Sequence, residues 1–272
     1  MEKKDGFLSL VKGFITGIGS LIPGISSGSI IISLNSYENF VKSLANLFKK
    51  KDKTLYLITI PLILGIIIGL LAGSHLISYF LTKYKPQTIF LFIGLIAGGY
   101  MLIIKKEKIK PTKSLIIIFL AVFILSILGF ILITNNKILN VPNYLMPISS
   151  GIITALSIVV PAFSASTFYL LLDKYEYVIN SLKIASSISD FLVIVVFILS
   201  LLLALILISK LIYYLIKKYR AYAYTIICAL MASSVVIAIL EVGHFTINFV
   251  NIFTSILTFL WGYLLAKNVE KE

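Results

Sequence analysis

Four runs of this chain, Leu55 to Leu81, Ser114 to Thr134, Asp190 to Ile216 and Thr246 to Ala266, are almost free of charge. Each is long enough to cross a bilayer, which takes about 20 helical residues. Thr88 to Ile104 and Tyr222 to Leu240 are shorter spans of the same kind, bringing the expected crossings to six. With 59% hydrophobic and 13% charged residues, the chain exceeds what a soluble core absorbs. Runs of this length satisfy their backbone in hydrocarbon as helices, so the expected class is an all-α polytopic membrane protein. The net charge of +13 sits in short lysine runs between the spans, not along one amphipathic face. That placement is topogenic, and no nucleic-acid partner is expected.

The chain also repeats itself. Gly13 to Leu44 laid over Gly151 to Leu182 without a gap is identical at 10 of 32 positions. The matches include Pro23 with Pro161, Ser26 with Ser164, and Tyr37-Glu38 with Tyr175-Glu176, which hydrophobicity alone does not demand. Downstream, Ser74 to Lys85 lies over Ser209 to Arg220, and Gly94 to Gly99 over Ala229 to Ser234. The first repeat is therefore placed at 1–135, with an interrupted segment at 14–34 and spans at 55–81, 88–104 and 114–134. The second is placed at 136–272, with an interrupted segment at 152–172 and spans at 190–216, 222–240 and 246–266.

Each interrupted segment carries Pro and small polar residues at its middle, where a continuous helix is weakest. If the segments cross the membrane, Lys42 to Lys53 falls opposite the N-terminus; if they are re-entrant, both lie on one side. The re-entrant arrangement puts 19 Lys and Arg on the N-terminal side and 5 on the other. The positive-inside rule then favours it, with both termini cytoplasmic. Three crossings per repeat is odd, so the expected architecture is two inverted repeats. Each is a re-entrant broken helical hairpin followed by three transmembrane helices.

Inverted repeats with broken helices place substrate sites near the midplane in transporters. Ser26, Ser27, Ser29, Ser164, Ser166 and Thr167 supply hydroxyls beside the two breaks. A restarting half-helix turns free N–H groups toward the tip, which suits an anion such as phosphate, whereas the preceding half-helix offers carbonyls, which suit a cation. Both remain open on these grounds, and small residues also serve to pack transmembrane helices closely. Glu38 and Glu176 are candidates for coupling to a proton or sodium ion, for gating, or for an interfacial turn. Lys210 and Arg220 are candidates for attracting an anionic headgroup, although such cations also snorkel and set topology. Cys228 stands alone, and two His with one Arg assemble neither a metal cluster nor a phosphatase constellation. No catalytic residue, metal or cofactor is expected.

The motif "IPGISSGS" followed by "YE", its weaker copy "VPAFSAST" followed by "KYE", and the "GLIAG" segment at Gly94 to Gly98 resemble the PopT-type polyprenyl phosphate transporter family. The resemblance implies a multi-pass protein of the bacterial cytoplasmic membrane. It also implies a flippase that returns undecaprenyl phosphate, the carrier lipid of cell-wall synthesis, across that membrane. Position by position it implicates Pro23, Gly24, Ser26, Gly28, Ser29 and Glu38, and Pro161, Ser164, Ser166, Thr167 and Glu176. The chain departs from the family pattern at Ser27, Ala162 and Ala165, and Ala162 puts close backbone approach at the second tip in question. The alternative expectation is a secondary transporter or channel for a small ion. The residues do not specify an oligomeric state.

Overall fold

A computed structural model describes residues 2–22, 24–47, 55–136, 141–172, 174, 178, 188–242 and 248–269. Every regular element among them is helical: α1 (Glu2–Ser20), α2 (Ser27–Ser33), α3 (Tyr37–Ala45), α4 (Ile60–Lys83), α5 (Lys85–Glu107), α6 (Lys113–Asn136), α7 (Met146–Val159), α8 (Ala165–Leu171), α9 (Ile188–Lys218), α10 (Arg220–Val242) and α11 (Phe249–Val269). Five helices are long and apolar enough to cross a membrane. The pair 57–73 and 76–83, bent by 57°, makes a sixth if the two pieces are taken as one span. A helix lies at each of the six expected positions, its ends displaced by a few residues.

The interrupted segments differ at one boundary. Their leading half-helices begin at Glu2 and Met146, not at Phe14 and Ile152. Hydropathy detects where a helix becomes apolar rather than where it starts, so the charged turns before Gly13 and the Pro-led turn at Met146 escape it. Both segments break where expected, after Ser20 and after Val159.

Glycines fix how the helices lie together. A methyl group on Gly13 would sit 3.0 Å from the Gly65 Cα, and one on Gly17 3.0 Å from the Gly69 Cα. Rising numbers on α1 meet rising numbers on α4, so the two helices run parallel with backbones in direct contact, as small residues four apart allow. The return half-helix runs the other way. Gly19 lies against both Ile30 and Phe92, Gly99 against Ser33, and Lys106 Nζ donates to Asn35 Oδ1 at 3.1 Å. α2 therefore follows α5, which turns back from α4 at Tyr84, and the first segment folds back on itself.

The remaining contacts exchange partners between the halves. α5 packs on α11 in parallel: Gln87 Nε2 donates to Asn251 Oδ1 and Thr254 Oγ1, Gly94 meets Phe259, and Gly98 meets Tyr263. Reciprocally, α10 packs on α6, with Thr225 and Cys228 beside Leu115 and Phe119, and Leu230 and Ile237 beside Leu125 to Ile133. α1 packs on α4 as α7 packs on α9. α5 and α10 form the interior, with 61% of each spanning window buried, while α6 has none of its window buried. Leu71, Ile117, Leu125, Leu199 and Trp261 are among the large apolar side chains left exposed on the outer helices. Such a surface belongs against lipid.

Candidate functional site: two helix breaks in contact

Gly24 takes φ 77°, which only a residue without a Cβ adopts freely, and turns the chain into α2. Ser26 then caps α2 in extended conformation, its Oγ accepting the Ser29 N–H at 3.2 Å. At the far end Asn35 adopts φ 52° while the Ser36 N–H reaches back to the Ile31 carbonyl at 3.1 Å, closing the helix. The second break is built alike. Val160 is extended ahead of Pro161, as a residue before proline tends to be, Ala162 takes φ 64°, and Ser164 Oγ accepts the Thr167 N–H at 3.5 Å. The alanine therefore keeps the left-handed turn expected only of glycine, at a cost of about 1–2 kcal/mol.

The two breaks touch. The Ala162 N–H donates to Ser26 Oγ at 3.1 Å, and a methyl on Gly28 would lie 3.2 Å from the Pro161 nitrogen. Tyr37 Oη donates to the Val159 carbonyl at 2.7 Å, holding the end of α7 from the first segment. Ser26 Oγ thus accepts two N–H bonds, which use both lone pairs, so its proton goes to Ser29 Oγ 3.0 Å away. Ser29 Oγ lies in turn 3.5 Å from Ser234 Oγ, which donates to the Met231 carbonyl. Ser26, Ser29 and Ser234 are fully buried and Ser27 nearly so. Ser26 and Ser29 of the first tip are therefore buried and bonded to protein groups.

The second tip differs in bordering a cavity. Pro161, Ala162, Ser164 and Thr167 line a cavity of about 210 Å³ whose opposite wall is Leu125, Ser126, Gly129, Phe130 and Ile133 of α6. Ser164 Oγ and Ser166 Oγ share a hydrogen bond of 3.0 Å at its edge.

Away from the tips, Glu38 and Arg220 meet, although 182 residues separate them. Arg220 Nη1 and Nη2 donate to Glu38 at 3.2 and 3.0 Å, and Arg220 Nε and Nη2 donate to Glu107 at 2.6 and 2.9 Å. Tyr224 Oη donates to Glu38 Oε2 at 2.9 Å. Partial burial raises the Glu38 pKa, but the hydrogen bonds from Arg220 and Tyr224 and the charges of Arg220 and Lys106 together outweigh it, holding the carboxyl below its ordinary range. The guanidinium is thus clamped between carboxylates of α3 and α5, and a polar cavity of about 280 Å³ opens beside the clamp between Asn35, Glu38, Lys106 and Tyr224.

The sequence singled out both tips and both clamp partners, but it did not pair Glu38 with Arg220 and it missed Glu107, Tyr224, Tyr37 and Ser234. Ser234 left one signal, a polar residue lying over Gly99 in the second copy. Lys210 is exposed on α9 and lines neither tip cavity nor the clamp. Pro23, Tyr175 and Glu176 lie outside the described residues. Among the described residues no group of His, Cys, Asp and Glu could hold a metal ion.

A sequence profile of the family described as VCA0040-like, undecaprenyl phosphate translocase-like, matches residues 17–248. A polyprenyl-phosphate transporter of Staphylococcus aureus (strain NCTC 8325 / PS 47) is 27% identical over 86 residues, which is 32% of this chain and 30% of that protein. No solved structure matches the chain.

Proposed function

This chain belongs to the undecaprenyl phosphate translocase-like family, and from that membership we propose that it is a flippase moving a polyprenyl phosphate across the bacterial cytoplasmic membrane for carrier-lipid recycling. The phosphate is held at the helix breaks, at the second tip in the described arrangement, and the prenyl tail stays in lipid. One observation carries the reading: two helix breaks from separate halves meet through Ser26 and Ala162, with Ser and Thr hydroxyls clustered on both. Hydroxyl and backbone donors at a break can replace part of a phosphate's hydration without placing a fixed cation in the membrane interior.

The two halves, 1–135 and 136–272, act as inverted repeats with both termini cytoplasmic. The parallel run of α1 with α4 supports this, because a first segment that crossed would meet α4 antiparallel. The exchanged pairing of α5 with α11 and of α6 with α10 supports a two-fold relation between the halves. Rocking about the tips then gives alternating access. Glu38 gates the cytoplasmic side when it and Glu107 together release Arg220, which becomes free to attract the headgroup. Glu176, Glu38's match in the second repeat, has the corresponding part on the other side, and Lys210 adds to the positive surface that recruits the lipid.

The test is translocation of a labelled polyprenyl phosphate by protein reconstituted in liposomes. Changing Ser26, Ser29, Ser164 and Thr167 together to Ala is expected to abolish movement while the protein remains folded. Translocation at the native rate would remove the tips as the site. Ion flux in liposomes lacking the lipid, coupled to a proton or sodium gradient, would instead establish the small-ion reading.

A further inference from the structure

Building on the translocase reading, we infer that the space between α6 and the second tip is the seat of the substrate's first isoprene unit, with its ester oxygen turned toward Ser164 and Thr167. The two tips are not equivalent. Ser26 and Ser29 are fully buried and line no cavity beside the break, whereas Ser164 and Thr167, 4% and 5% exposed, form one wall of the 210 Å³ cavity. The ligand-accessible tip is therefore the second.

The lining has the chemistry of an amphiphile's neck. Ser164, Thr167 and Ser126 are its polar side chains, and Phe130, Phe163, Phe168, Leu230 and Ile237 are apolar. Phe163 and Phe168 stack at 4.0 Å between ring centres, 13° from coplanar, and give the cavity a flat hydrocarbon surface next to the hydroxyls. A cavity of about 150 Å³ accepts a benzene ring. The space here thus takes one branched five-carbon unit rather than a long chain. The rest of the chain leaves past α6, the helix with no buried part in its spanning window, and enters the bilayer.

Gly129 marks the way out. A side chain added there meets no atom within 4 Å, unlike Gly13, Gly17, Gly65, Gly94 and Gly262, where backbone lies in contact. A glycine in a transmembrane helix with no neighbour to approach is unexplained by helix packing. It is explained by a portal that must stay open.

The probe is a prenyl phosphate carrying a diazirine on its first isoprene unit, added to the full-length protein in nanodiscs. Photolabelling is expected on Ser126 to Ile133 and on Phe163 to Phe168. Gly129→Phe is expected to lower both labelling and translocation by on the order of tenfold, equivalent to about 1.4 kcal/mol of lost binding. Label elsewhere, or label indifferent to Gly129→Phe, overturns the inference even if Gly129→Phe proves unstable, because the native protein alone reports where the label falls. Translocation without label in the groove rejects the groove and leaves the transporter reading standing. Groove label without translocation by the native protein rejects the transporter reading and keeps the groove as a lipid-phosphate site.

Discussion

Replacing Arg220 by Ala tests how the two halves are held together, because its side chain is the ionic contact from α10 to α3 and α5. Glu107 is left with a side chain only 5% exposed, whereas Arg220 and Glu38 are 48% and 34% exposed. Breaking a fully buried pair costs about 3–5 kcal/mol, and an exposed pair contributes about 0.2–1. The clamp lies between these limits, so Arg220→Ala is expected to destabilise by about 1–2 kcal/mol, mostly through Glu107. Glu38→Gln, which keeps one acceptor for Tyr224, is expected to cost about 0.5 kcal/mol. A double-mutant cycle on Glu38 and Arg220, read by denaturant unfolding in detergent, gives the coupling directly. Exchanging the two charges should not restore stability, because the reversed pair would set a carboxylate beside Glu107. The pH dependence has a definite sign. The Glu38 carboxyl is held below its ordinary value, so its contribution is complete above that value and is lost as pH falls through the folded-state pKa. The fall therefore begins below about pH 4 and is absent in Glu38→Gln. A coupling of zero, or an Arg220→Ala protein as stable as the native one, would refute the clamp.

Three further changes follow from contacts already described. Gly65→Ala drives a methyl into the Leu10 backbone and should cost about 1–3 kcal/mol in unfolding, with Gly129→Ala as a neutral control on another helix. Tyr37→Phe leaves the Val159 carbonyl without its donor and should cost about 1–2 kcal/mol, again by unfolding. Ala162→Gly relieves a left-handed alanine and should stabilise by about 0.5–1 kcal/mol, and a loss of stability would refute strain at this turn. The re-entrant arrangement is checked separately by placing a cysteine at Asn46 and another at Asp5 and labelling from each side. Both should react from the same side, and opposite reactivity would sink it.

What could be read in the sequence follows from which forces act locally. Hydropathy gave the six spans because desolvation depends on composition along a run, and Pro161 with its matched serines gave the breaks because a missing N–H interrupts any helix. The starts of α1 and α7 were not readable, because a charged or Pro-led turn can be helical without being apolar. Partner choice was hidden more deeply. Gly13, Gly17, Gly65 and Gly69 were visible as small residues four apart, but nothing in their spacing says that α1 and α4 meet or that they run parallel. Arg220 reads as a headgroup-attracting or topogenic cation because its neighbours in sequence are Lys217, Lys218 and Tyr219. Its carboxylate partners, 113 and 182 residues away, become neighbours only once α5, α10 and α3 are assembled.

Gly24 and Ala162 show why near-identical backbones can serve different ends. Both take the left-handed turn, at φ 77° and 64°, so the repeat preserved the break itself. It did not preserve the surroundings. α11 is drawn onto α5 by Gly94, Gly98 and Gly262, whereas α6 stands away from the second tip at Gly129. The clamp at Arg220 is closed while the groove at Gly129 is open. A transporter built from related halves needs such a difference at every instant, since two tips equally open would make a leak. Under the two-fold reading, the opposite state requires α11 to leave α5, and three backbone-level glycine contacts oppose that separation. If the proposed flippase cycle holds, the described arrangement is the resting one, and substrate binding or release of Arg220 is the proposed source of the free energy that separates α11 from α5.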